Sequence, residues 1–198
     1  MKRSLLLWTV ITALSVTLCF AQDKKNMPPG MDEMMQKWMQ YITPDEHHKK
    51  LDAFAGTWET VPSVMTEPGK DPVTSKGTAE FKWMLGGRYM QQDFSGSMMG
   101  MPMNGIGFNG YDKNQKTYFM IWMDNMSTAY MVGNGQFDQS GKTLNLYAKM
   151  DDPTTGDYNK NERLVLHWVD DNQFTFTIYD LSGGEDFKVL EMTYTRKK

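Results

Sequence analysis

From Gly56 to the C-terminus, apolar and polar side chains alternate, and the alternation breaks about every ten residues at turn-forming stretches: EPGKDP, LGGR, DKNQK, DQSGK, DPTTGD, VDDN and SGGED. A period of two places successive side chains on opposite faces of a strand. The spacing predicts ten strands: Thr57–Thr66, Val73–Met84, Arg88–Ser95, Gly105–Tyr111, Lys116–Asp124, Thr128–Phe137, Thr143–Met150, Glu162–Val169, Gln173–Tyr179 and Phe187–Arg196. Short connections and the lack of a long helix between them favour an antiparallel meander, and only closure removes both of its edges. The expected fold is mainly β, a single antiparallel up-and-down β-barrel of about ten strands with short N-terminal helices.

Parity sorts the side chains. Phe81 and Trp83 oppose Glu80 and Lys82; Leu164, Leu166 and Trp168 oppose Arg163 and His167; Phe174, Phe176 and Ile178 oppose Thr175 and Thr177. The apolar set is expected inside, which makes His167 an outward surface histidine. The strand KTYFMIWMD differs, because Tyr118, Met120 and Trp122 are apolar and so are Phe119, Ile121 and Met123. One of its faces needs a cover, for which an N-terminal helix is the candidate.

Ahead of the strands the chain divides into three parts. Residues 1–21 have a basic start at Lys2 and Arg3, an apolar run from Ser4 to Phe20 and small residues at Cys19 and Ala21, the pattern of a secretory signal peptide. The expected protein is therefore exported, to the periplasm or beyond. An uncleaved anchor is the alternative, at the short limit for a spanning helix; so is a lipoprotein acylated at Cys19, against which stands bulky Leu18. Cys19 is the chain's one cysteine, so the exported chain is expected to have no disulfide and no thiolate site. The chain carries 21 Lys and Arg against 24 Asp and Glu, a mildly acidic balance with no basic footprint for nucleic acid. No second apolar segment has spanning length.

Residues 22–42 read as a linker, QDKKNMPPG, followed by an amphipathic methionine-rich helix in which Met31, Met34, Met35, Trp38 and Ile42 form one stripe. That stripe is a candidate surface for an oligomer or partner. Residues 43–198 form the barrel domain, introduced by a helix with Thr43 as N-cap, Pro44 at its first position and Glu46 three residues after the cap. On it His47, Leu51 and Phe54 share a face, while His48 and Lys49 point elsewhere.

GTW at residues 56–58 opens the first strand and YTR at 194–196 closes the last. The pair resembles the calycin arrangement of lipocalin-like barrels, in which a Gly-x-Trp tryptophan at the barrel floor is covered by an arginine of the final strand. Arg196 shares parity with Leu190, Met192 and Tyr194, and a guanidinium over an indole contributes on the order of 1 kcal/mol. In order of motifs the chain also resembles the bacterial family known as domain of unknown function 1579, through HKKLDAFAGTWE, SKGTAEFKWMLGGRYM, GMPMNGIGFNGYD, KTYFMIWMDNMST, GQFDQSGKTLNLYAKMDDPTTG and EMTYTR. The resemblance implies a lipocalin-like barrel and no particular reaction. Met103 stands where the family tends to have phenylalanine.

Two kinds of site remain. GSMMGMPMNG, residues 96–105, supplies Met98, Met99, Met101 and Met103, and thioethers are soft ligands that select Cu(I). Against copper, methionine is an adaptable filler of apolar surface, and in an extended segment residues 99, 101 and 103 point to one side and 98 to the other. The barrel interior is the stronger candidate, as a pocket for a small apolar or amphipathic molecule lined by Trp83, Arg88, Gln92, Tyr111, Trp122 and Tyr130; Arg88 fits equally at the solvent mouth. No residue is assigned to catalysis: His-Glu-x-x-His, Gly-x-Ser-x-Gly and a phosphate loop are all missing. Asp151, Asp152, Asp170 and Asp171 read as solvated turn residues, and apart from Cu(I) no cofactor is expected.

Overall fold

A computed structural model describes residues 30–66, 69–152, 155–183 and 186–198. The expected signal segment 1–21, with Cys19, and the spacer up to Pro29 lie outside them. The chain divides into two units, Met1–Thr43 and Pro44–Lys198. Among the described residues no helix is long and apolar enough to cross a membrane.

The described part of the first unit is helix α1, Met31–Ile42, entered through Gly30 in the left-handed conformation. Asp32 and Glu33 occupy its first turn, where the helix dipole favours negative charge, and Glu33 pairs with Lys37 one turn on, at 2.6 Å. Thr43 ends this helix, its hydroxyl donating to the Met39 carbonyl at 2.6 Å. Thr43 is thus a C-cap and not the expected N-cap of the next helix. The reason is Pro44, whose ring disfavours helical geometry at the preceding residue and leaves Thr43 extended.

In the second unit the cap falls on Asp45, which accepts from the His47 N–H ahead of the four-residue helix α2, Glu46–Lys49, and the 3-10 helix Lys50–Phe54. His48 completes a reciprocal capping box with Asp45 and is buried, against the expectation that it points away. A wheel of about 100° per residue does not apply where only one α-turn forms before the chain tightens into 3-10 geometry. His47 lies flat on Tyr111, ring centroids 4.3 Å apart.

The strands are β1 Gly56–Val64, β2 Val73–Thr74, β3 Gly77–Met84, β4 Tyr89–Met98, β5 Met101–Asp112, β6 Thr117–Asp124, β7 Met131–Phe137, β8 Thr143–Asp152, β9 Asp157–Asp170, β10 Gln173–Asp180 and β11 Phe187–Arg196. Consecutive strands pair antiparallel, and β11 pairs back onto β1 with Trp58 opposite Arg196. The result is a closed antiparallel barrel of ten strands, with β2 as a short extra piece. The expected strand Val73–Met84 is interrupted at Ser75 and Lys76, so that both its parts, β2 and β3, lie against β1.

Inward residues form one core. Leu51 and Phe54 of the 3-10 helix join Trp58, Phe81, Met90, Phe174 and Tyr194 from the strands. His167 points outward and meets Thr143 Oγ1 at 3.0 Å. On the two-sided strand β6, Tyr118 and Met120 are buried inside, while outward Phe119 lies over Gly110 of β5 and beside Tyr89. A side chain at residue 110 would collide with that ring, so glycine there lets the outer phenylalanine lie flat on its own sheet.

Candidate functional site

One end of the barrel is plugged. Phe54 enters from the 3-10 helix and packs on Phe81 and Phe174, with ring centroids at 5.4 and 5.1 Å. Trp58 is 1% exposed, and its indole N–H donates to the Phe54 carbonyl at 2.7 Å. The Arg196 guanidinium lies over the Trp58 ring at 4.1 Å and donates to the carbonyls of Ala55 (2.7 Å), Ala53 (2.9 Å) and Asp171 (2.9 Å). Carbonyls left over at the end of the short helix are thereby satisfied by the last strand. Gly56 has φ of +121°, and a Cβ there would lie 2.9 Å from Arg196 Nη1.

Towards the opposite end, where the β4–β5, β8–β9 and β10–β11 turns lie, the interior opens into a cavity of about 210 Å³. Its walls are aromatic and aliphatic: Phe94, Trp122, Phe176, Ile178, Leu190 and Met192 among others. Trp122 lies over Gly105, whose bare Cα leaves room for the indole, and its N–H donates to Asp124 at 2.7 Å. Deeper in, Gln92 Nε2 donates to the Tyr194 hydroxyl at 3.2 Å. Tyr194 is stacked on Phe174 at 4.2 Å, and burial pushes its phenol up, so the hydroxyl stays protonated. A polar pair that satisfies itself leaves the surrounding wall apolar.

A second concavity, about 310 Å³, continues from the first at the barrel mouth; Met98, Met150, Ile178 and Leu190 line both. Here charged residues point inward. Lys160 lies 2.6 Å from Asp180 and 3.4 Å from Asp152. Burial works against the Asp180 anion, but hydrogen bonds from Lys160 and Ser182 hold its carboxyl below the usual range. Glu162 is 5% exposed and directly opposite Asp180 in the β9–β10 ladder. Its Oε2 has no hydrogen-bond partner among the described residues. Burial, reinforced by the Asp180 and Asp152 charges and opposed by Lys160, pushes its pKa up to about 7.

The residues proposed from sequence divide between the two ends. Gln92 and Trp122 line the cavity. Trp83 and Tyr111 belong to the plugged end, Trp83 donating to Asp52 at 2.7 Å and Tyr111 stacking on His47. Arg88 lies in the β3–β4 turn and donates to the Leu85 carbonyl at 2.9 Å, outside the cavity wall. Tyr130 is 71% exposed, because β7 starts at Met131 and not at Thr128. The methionine stretch is a tight hairpin: Met98 pairs with Met101, and Met99 and Gly100 turn between them with φ of 51° and 81°. Reversal of the chain at 99–100 cancels the simple parity count, so Met98 and Met103 face the cavity while Met99 and Met101 stand half exposed. Asp151 and Asp152 end strand β8 and Asp170 ends β9, so of the four aspartates expected in turns only Asp171 lies in one. Sequence reasoning missed Lys160 and Glu162; the available signal was their even spacing with Leu164 and Leu166.

Fold and site together define a class: closed, single-plug antiparallel barrels with an internal apolar cavity, consistent with the calycin arrangement. Residues 43–196 match the family model described as "Protein of unknown function (DUF1579)". The chain belongs to that family. No curated protein matches it in sequence. Among solved structures it is similar to Rv2717c from M. tuberculosis, at 11% identity over 79% of this chain and 100% of that one, with a TM-score of 0.57. It is also similar to the redesigned beta barrel mFAP1, solved bound to DFHBI, at 17% identity over 74% of this chain and 98% of that one, with a TM-score of 0.39.

Proposed function

We propose that this protein is an exported barrel that holds one small hydrophobic or amphipathic molecule in its interior. The observation that supports it is the apolar cavity of about 210 Å³, walled by rings and thioethers and continuous with a polar mouth. Pockets for small molecules are mostly apolar with a few placed polar groups, and apolar walls with nothing against them forgo packing contacts that a ligand would supply. The methionines around it suit a pliable wall, because an unbranched thioether side chain repacks at little cost.

Decanol is a suitable probe, with an alkyl chain for the cavity and an uncharged head. One equivalent is expected to bind by titration calorimetry. Leu190→Trp, which fills the wall shared by both concavities, is expected to weaken binding by roughly tenfold or more, about 1.4 kcal/mol. Binding that is absent, or unchanged in the variant, would remove this reading. Export is supported by the basic start and apolar run of residues 1–21. Expression of the full chain in a bacterium is expected to yield periplasmic protein whose intact mass lacks those residues; a cytoplasmic product of full mass would contradict it.

A further inference from the structure

The mouth of the cavity has a sign. Five carboxyl groups line the two concavities, those of Asp124, Asp151, Asp152, Glu162 and Asp180. Lys160 is the one basic residue among the described lining residues, and it is already engaged by Asp152 and Asp180. Excess negative charge in a concave, partly desolvated site focuses a field that attracts cations and repels anions.

Glu162 adds a second, independent observation. It is 95% buried by its 5% exposure, it faces the mouth, and its Oε2 accepts no hydrogen bond from any described residue. A buried acceptor without a donor is costly and rare in native structures. What would satisfy it is an N–H donor arriving from the cavity side, cationic to match the surplus of carboxylates. Among the described residues no three acidic or histidine groups are gathered so as to hold a metal ion, so the donor set does not fit a bare cation. The apolar walls running inward from Ile178 and Leu190 call for an alkyl or aromatic body behind the charge.

We infer that the barrel selects amphipathic molecules bearing a protonated amine, with the apolar body in the inner cavity and the ammonium donating to Glu162 beside Asp180. This rests on the interior cavity being a binding site, as proposed above. An ammonium has three donors in a compact head, enough to reach Glu162 and a neighbouring carboxylate together. Anionic amphiphiles would find no unengaged cation among the described lining residues.

Decylamine, decanol and decanoate share one chain length and differ in head charge, and each is titrated at pH 7.5 into wild-type protein and Glu162→Gln. The expected order is decylamine tightest, by roughly tenfold over decanol and more over decanoate. In Glu162→Gln the advantage of decylamine over decanol, taken as the ratio of their affinities for the same protein, is expected to shrink severalfold. Equal binding of all three, a preference for decanoate, or an amine preference undiminished in the variant overturns the inference and leaves the cavity reading in place. If none of the three binds, both fall. Glutamine keeps the size while removing the charge and turning one acceptor oxygen into a donor, so loss of fold is not expected, and a thermal melt of the variant verifies it.

Discussion

Replacing Trp58 by alanine is expected to lower the unfolding free energy by about 3 to 5 kcal/mol, the range for truncating a fully buried tryptophan. For a domain of this size that is a fall in melting temperature of roughly 6–20 °C. The indole is 1% exposed, donates to the Phe54 carbonyl, stands edge-on to Phe174 at 4.8 Å and carries the Arg196 guanidinium on its face. Its removal opens a void and also leaves a buried carbonyl without its donor. Arg196→Lys separates the two contributions: an ammonium keeps the charge but cannot serve three carbonyls on different segments with one planar group. A loss of about 1 to 3 kcal/mol is expected there. Urea denaturation of both variants measures the two values, and a Trp58→Ala loss below 1 kcal/mol would mean that this end of the barrel is not sealed as described.

That end was readable in the sequence because every cue agreed. Glycine, tryptophan and the last-strand arginine sit at the correct parity, and turn residues recur where strands must reverse. The closed ladder pairs Trp58 with Arg196, and nine of the ten expected strands fall on single observed strands while the tenth spans β2 and β3. The mouth was less readable, for one physical reason. The rule that apolar means inside fails where the inside is polar. Asp157 to Asn161 look like loop residues, so the strand is expected to begin at Glu162, whereas β9 begins at Asp157 and brings Lys160 and Glu162 to the mouth of the barrel. At the methionines the error is of another kind. A two-residue turn through Met99 and Gly100 is invisible to a parity count because Met99 takes positive φ without the usual Asn or Gly signature.

Changing Glu162 to glutamine is expected to stabilise the protein at pH 8 and to have little effect at pH 5. In the fold its carboxyl holds a proton up to about pH 7, compared with 4.5 for the free group. Between those values the folded state binds more protons than the unfolded chain, so the stability tied to this group is fully present below about pH 4.5 and is lost as pH rises through 7. A shift of that size corresponds to at most about 3 kcal/mol. Glutamine mimics the protonated form at every pH and removes the penalty. Asp152 and Asp180 remain to pair Lys160 in the variant, so no lone cation is created. Denaturation of both proteins from pH 5 to pH 8 isolates the effect as their difference, because the opposite contribution of the lowered Asp45 carboxyl, at the other end of the barrel, is common to both. Parallel stability curves would show that Glu162 ionises without penalty. A divergence above pH 6 would instead show that the barrel keeps a carboxyl its own stability does not favour, as expected of a group whose partner arrives with a ligand.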